Sequence, residues 1–160
     1  MAVRDYSELS TILKNIVGRL LTNQTLCKLL YYQDKDPLGQ TDISNTKVLL
    51  NEEVRVIPRV GPQENTKSKI VLIWTHGQKN PINNEIADLI LRIYVYTPFD
   101  QWVIEGDELR IFLILSEIEN TLQGKDVYGL GRLMAPGFDL DMTTDEVCAY
   151  RMEFKVDVYS

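Results

Sequence analysis

Apolar positions along the chain first follow helical spacing and then strand spacing. Between Leu9 and Leu21 they recur every three or four residues, which places them on one face of an α-helix. Thr22 and Asn23 then provide an end to this helix and an N-cap for a second, shorter one. The pattern therefore predicts a helical N-terminal region over about residues 7–32.

Strand signals begin after an irregular stretch of about twenty residues. Val54, Val56 and Val60 alternate with polar positions, and residues 70–75 form a continuous run of β-branched and aromatic side chains. A polar segment separates the two, so we expect a β-hairpin with a long loop. The following residues, 76–84, are predicted to be irregular.

The central part of the chain reads as a strand, an aromatic link and a helix. Residues 89–97 are partly apolar on both faces, which is typical of a central or covered strand. The link 98–102 follows, and a wide apolar face predicts a helix from about Asp107 to Leu122. Gly124 is placed to terminate that helix.

The C-terminal third is predicted to be β-structure. Glycines and prolines interrupt residues 127–142, which indicates a broken strand or hairpin, whereas residues 147–159 alternate cleanly between apolar and charged positions. The predicted fold is therefore α+β. An antiparallel or mixed sheet carries N-terminal helices and one long central helix within a single domain, 1–160, whose sheet and central helix occupy about residues 53–160.

Composition places the chain among ordinary globular proteins. Its 160 residues are 44% hydrophobic and 25% charged, which suits one domain. The net charge of -6 and pI of about 4.8 argue against a general electrostatic footprint for nucleic acid. No apolar run approaches the roughly 20 residues that cross a bilayer, and the N-terminus lacks a secretion signal. We therefore expect no membrane partner and a cytoplasmic site of synthesis.

One acidic cluster is the best sequence candidate for a cation site, because hard cations need several oxygen ligands. It comprises Asp139, Asp141, Asp145 and Glu146. The cluster lacks the glycine and the twelfth-position glutamate of an EF-hand loop. A solvated turn is the better interpretation, and no metal site is predicted.

Catalytic and cofactor signals are equally weak. His76 is the single histidine and no nucleophile motif accompanies it. Residues 129–133 begin like a dinucleotide fingerprint but lack its third glycine. Cys27 and Cys148 lie in apolar surroundings, where a small buried hydrophobe is the common role. We predict no catalytic residue and no cofactor, and hence a protein that is not an enzyme.

Aromatic residues and long loops indicate protein contacts instead. Phe99 and Trp102 lie in a link, where a large side chain has few neighbours from its own element, and exposed aromatics are enriched in interfaces. Trp74 lies in a predicted strand, where core is the usual role. The loops 33–51 and 76–84 are long for a compact domain. The predicted interface residues are Phe99, Trp102, Trp74, Asp36 and Pro37.

Four segments together resemble tailed-bacteriophage tail-terminator and neck (head-to-tail connector) proteins. They are LCKLLYYQDKDPL at 26–38, RIYVYTP at 92–98, DELRIFLILSEIE at 107–119 and AYRMEFKVDV at 149–158. The resemblance covers most of the chain and rests on the order of the elements, the chain length and the pattern of residue types, without a signature motif. It implies a small α+β protein that forms a ring, commonly a hexamer, at the head-proximal end of the tail.

Such a ring would stop polymerisation of the tail tube and join the tail to the head connector. The implied partners are further copies of the chain, tail-tube and sheath proteins, and a neck or head connector protein, with DNA only as passing cargo. The implied location is the virion, reached from the host cytoplasm during assembly. Two alternatives remain: a neck or head-completion protein on the portal side, and a small cytoplasmic enzyme or binding module.

Overall fold

A computed structural model of the chain describes residues 3–57, 66–126, 131–135 and 137–157. Helix α1 spans Tyr6–Leu21 and begins with a capping box, in which the Asp5 carboxylate accepts from the Ser7 amide at 2.8 Å and Glu8 bonds back. Helix α2 spans Gln24–Tyr31, and the Asn23 side chain caps it through the Leu26 amide at 3.0 Å. The predicted helical region and the Asn23 cap are confirmed.

Within the described residues, six strands form one mixed sheet and two more form a short ribbon. The sheet order is β1-β2-β3-β8-β6, and β7 also pairs with β8. The strands are β1 Val54–Arg55, β2 Lys69–Lys79, β3 Ile86–Pro98, β4 Val103–Ile104, β5 Glu108–Leu109, β6 Arg132–Met134, β7 Phe138–Thr143 and β8 Val147–Asp157. Strands β4 and β5 make the ribbon. The α+β class with N-terminal helices and a mixed sheet is confirmed.

One prediction about the first strands is wrong, and a second is wrong for residues 76–79 only. β1 contains only two residues and pairs with β2 in parallel, so these strands do not form a hairpin. Val56 lies beyond β1, and Val60 lies outside the described residues. The segment predicted to be irregular, 76–84, is strand in its first four residues, because β2 continues to Lys79, whereas residues 80–84 are irregular as predicted. β3 starts at Ile86, and the pairing of β2 with β3 shifts register around Thr75 and Gly77. The two strands therefore form the long hairpin, whose tip is residues 80–85.

The central helix, α3, spans Arg110–Leu122 and starts later than predicted. Asp107 ends a short 3₁₀ turn, and the next two residues pair in the β4–β5 ribbon. The prediction described α3 as the one long helix of the fold. It has 13 residues, however, and is shorter than α1, which has 16. Its end is as predicted, since Gly124 follows with φ of +70°.

The core lies between the helices and one face of the sheet. Leu91, Ile93 and Val95 of β3 are opposite alternate residues of β8, among them Met152 and Phe154, and all five are buried or nearly so. The other face is more polar. On that face the Arg92 guanidinium of β3 donates through Nε and Nη2 to the carboxylate of Glu153, its register partner in β8.

A buried arginine ties the connecting segments to the core. Arg110 is fully buried at the first position of α3. Its guanidinium donates to four backbone carbonyls. Nη1 donates to those of Leu29 at 2.6 Å and Tyr32 at 2.8 Å. Nη2 donates to the Asp34 carbonyl at 2.7 Å, and Nε donates to the Gln101 carbonyl at 2.9 Å. One side chain thus links the end of α2, the loop after it and the aromatic link. Burial lowers the pKa of Arg110, and the Asp34 carboxylate opposes this effect.

A buried hydroxyl in β3 offers a direct test of the packing. Thr97 is fully buried, and its Oγ1 has no hydrogen-bond partner among the described residues. Thr97→Val should raise the free energy of unfolding by about 1 kcal/mol, because a desolvated hydroxyl is replaced by a methyl group. Urea unfolding measures the change. Thr97→Ser, which keeps the hydroxyl and removes the methyl group, should be destabilised, and equal stability of Thr97→Val and the natural chain would contradict the assignment.

Candidate protein interface

The two aromatic residues that the sequence singled out lie next to each other at the surface. Pro98 ends β3, and a single 3₁₀ turn, Phe99–Gln101, leads to Trp102. The Phe99 amide donates to the Glu146 carbonyl at 2.9 Å, which fixes the turn against the start of β8. Phe99 is 43% exposed, and Trp102 is half-buried against the core. Their ring centroids are 5.8 Å apart.

Three further rings extend this pair into what we call the aromatic patch: Phe99, Trp102, Phe112, Phe138 and Tyr150. Tyr150 of β8 lies at its centre, with ring centroids 6.5 Å from Trp102, 5.3 Å from Phe112 and 5.6 Å from Phe138. Phe112 and Phe138 are 5.8 Å apart, edge to face. Since Phe138 is 53% and Phe112 37% exposed, the patch is an outward extension of the core.

Strand β7 forms the rim of the patch. All of its residues are exposed, including the apolar Phe138, Leu140 and Met142. Asp139 and Asp141 alternate with them, and a register shift between Leu140 and Met142 marks a bulge at Asp141. In the described part of the chain β7 pairs with β8 alone, so its other edge is open. Open edges that carry apolar side chains are sites at which chains associate.

The other predicted interface residues lie elsewhere. The Trp74 indole packs against the core, and its Nε1 donates to the Leu9 carbonyl at 3.1 Å, which ties β2 to α1. Pro37 is buried. Asp36 is half-buried and accepts from the Gly39 amide at 3.0 Å, so it closes a local turn. The structure therefore joins Phe99 and Trp102 into one surface and gives the other three residues contacts within the chain.

The polar candidates do not form a recognisable reaction centre. His76 is exposed and lines a groove with Asp88 and Lys155. Among the described residues no group of three potential ligands is placed to hold a metal ion. Cys27 and Cys148 are free and buried, and burial raises the pKa of the Cys27 thiol to about 11. Of the residues 129–133, those at 129 and 130 lie outside the described residues.

Sequence reasoning did not single out Phe112, Phe138 and Tyr150 as parts of an interface, although Tyr150 does pack against the core as its inward position predicts. Phe112 was assigned to the apolar face of the helix, and Tyr150 to the inward face of the last strand. The available signal was the segment 138–142, in which large apolar residues alternate with aspartates beside the glycine at 137. Such alternation is typical of an edge strand with one face against protein and the other in water.

The fold and the aromatic patch define a small α+β protein that carries a partly exposed aromatic surface, of a kind that is enriched at protein contacts. The chain belongs to the YomW family, whose model matches residues 23–156. This family is phage-derived, of the Bacillus prophage type, which indicates a phage protein. No curated protein matches the chain. No described helix is long and apolar enough to cross a membrane.

Proposed function

We propose that the chain is a structural protein of a tailed-phage virion and acts as a tail terminator. In this role it forms a ring at the head-proximal end of the tail, stops polymerisation of the tail tube and joins the tail to the head connector. It is not an enzyme, and its partners are further copies of itself and the neighbouring tail and neck proteins. The observation that carries the proposal is the aromatic patch.

The patch has the chemistry of a permanent protein contact. Five aromatic rings form a continuous surface, and Leu140 and Val103 beside them are also exposed. Aromatic residues are enriched in the buried centres of interfaces, whereas monomeric proteins rarely leave such a patch uncovered. A virion protein that remains in one assembly has a partner to cover it.

The long β2–β3 hairpin supplies a second surface for assembly. Its tip carries Ile82, which is 93% exposed. Asn80 holds the tip in shape, because its side chain accepts from the Ile82 amide at 2.9 Å. A structured arm that presents an apolar residue is suited to contact a neighbouring subunit.

Charge supports a conduit through which DNA passes. The net charge of -6 disfavours binding to a polyanion and would let DNA move along a ring lined by this protein. The charge favours transit over binding, but it does not distinguish a terminator from a neck protein.

The decisive experiment is to remove the gene from the phage or prophage and image the particles by electron microscopy. Tails longer than normal are expected, because nothing would stop the tube from growing. Normal tails that fail to join filled heads would instead assign the neck or head-completion role. Infectious particles of normal appearance would overturn both roles. Expression of the natural chain from a plasmid is the control and should restore tail length.

A further inference from the structure

An apolar groove lies at the β1 edge of the sheet. It has a volume of about 590 Å³ and is open to solvent. Gly18 lies in its wall, and a Cβ atom added there would meet no atom within 4 Å. Helix α1 lines one side and the segment around β1 the other, through Val17, Gly18, Leu21, Leu50, Val54 and Val56.

The rim of this groove is basic. Lys14 and Lys47 line it together with Asn51, and none of the lining residues in the described part of the chain is acidic. Both lysines are exposed and form no ion pair within the described residues. The groove therefore suits an occupant that carries apolar side chains next to carboxylates.

The β7 edge of the same chain has that chemistry. Phe138 and Leu140 project on one face, with Leu140 58% exposed. Acidic residues accompany them, since four occur between positions 137 and 147 and no lysine or arginine does. Arg151 lies opposite Asp139 across the ladder. The other three acidic residues, Asp141 at the bulge and Asp145 and Glu146 in the connection to β8, have no basic residue paired with them in that ladder.

These two surfaces cannot meet within one chain. The order β1-β2-β3-β8, with β7 next to β8, puts four strand spacings between β1 and β7. At about 4.8 Å per spacing the separation is roughly 19 Å. A contact between unlike surfaces of two copies is heterologous, and repetition of such a contact produces a closed ring when the rotation between subunits closes.

We propose that the β7 edge of one copy docks into the α1–β1 groove of the next, with Phe138 and Leu140 in the groove and Asp141 and Asp145 against Lys14 and Lys47. This inference rests on the proposed ring and specifies which surfaces form it. It makes every subunit both donor and acceptor.

Charge reversal tests the pairing in the full-length chain. The groove variant is Lys14→Glu/Lys47→Glu and the strand variant is Asp141→Lys/Asp145→Lys. Each alone should associate at least tenfold more weakly than the natural chain, by sedimentation velocity. A mixture of the two should associate again, because each supplies the surface that complements the other, and the chain with all four reversals should also recover.

The pattern of recovery identifies the contact. If the strand variant does not associate while the groove variant associates normally, the contact joins two like β7 edges, and the proposal is overturned. Normal association of both variants would also overturn it, while leaving the ring intact. A natural chain that stays monomeric in solution and is absent from isolated tails would overturn the ring itself.

A groove-filling variant separates docking from folding. Gly18→Leu puts a side chain into the open space and removes a helix-interior glycine, so its melting temperature should rise while association falls at least tenfold. Gly18→Ala is the matched control and should be stabilised with association nearly unchanged. If Gly18→Leu associates like the natural chain, the groove is not the acceptor.

Discussion

Arg110→Met should lower the free energy of unfolding by about 3–4 kcal/mol, the largest single-residue loss that we expect in this protein. The guanidinium donates to four backbone carbonyls, those of Leu29, Tyr32, Asp34 and Gln101. A methionine fills most of the volume but offers no donor, so carbonyls withdrawn from water are left without partners. Urea unfolding followed by tryptophan fluorescence measures the loss.

Two controls distinguish lost hydrogen bonds from lost charge. Arg110→Lys keeps the positive charge, but a single ammonium group cannot reach four carbonyls in the geometry of a planar guanidinium. It should therefore lose most of the same stability. Arg4→Met changes an exposed arginine to the same residue, and a change within about 0.5 kcal/mol is expected. Similar stability of Arg110→Met and Arg4→Met would mean that the four bonds contribute little.

Arg110 also fixes the aromatic link that forms part of the interface. Its side chain holds the Gln101 carbonyl, and its backbone amide donates to the Trp102 carbonyl at 2.8 Å. The link that carries Phe99 and Trp102 is thus fixed to the core beside an arginine. An interface on a fixed link loses less conformational entropy on association than one on a mobile loop.

The sequence predicted those elements that are determined by residues close together in the chain. The Asn23 cap, the end of α3 before Gly124 and the alternation along β8 are encoded within a few residues. The parallel pairing of β1 with β2 is not, because it joins residues that are 16 apart in sequence through only two positions, Val54 and Arg55. The later start of α3 has a similar cause, since Glu108 and Leu109 pair with β4 in preference to extending the helix.

Only part of the aromatic patch could be predicted, because some of its residues come together through contacts between distant segments. Phe99 and Trp102 follow Pro98 at the end of a strand, so their position in a connecting link could be predicted from the sequence. Phe112 and Tyr150 have the spacing of core residues, and only the placement of β7 against β8 brings Phe138 beside them. Arg110 was unpredictable in another way: a charged residue that opens an apolar helix normally faces water, and its burial depends on carbonyls from distant segments.

Phe99→Ser/Phe138→Ser should weaken self-association by at least about 30-fold, which corresponds to about 2 kcal/mol, while the fold is retained. Both rings are about half exposed at opposite ends of the aromatic patch, so their removal should cost little stability. In an interface, however, they would be fully desolvated. Sedimentation equilibrium and incorporation into isolated tails measure the effect. Trp102→Ala is less informative, because that ring also packs against the core.

Ile82→Ser measures how much the hairpin tip, the second surface proposed for assembly, contributes to association beside the aromatic patch. Ile82 is 93% exposed at the hairpin tip, away from the five rings. If the patch is the dominant contact, this variant should associate within about threefold of the natural chain. A loss of several kcal/mol of stability in the patch variant, with association unchanged, would assign Phe99 and Phe138 to the fold. Equal loss of association in both variants would instead extend the interface to the hairpin, which would place both surfaces in contact with neighbouring subunits.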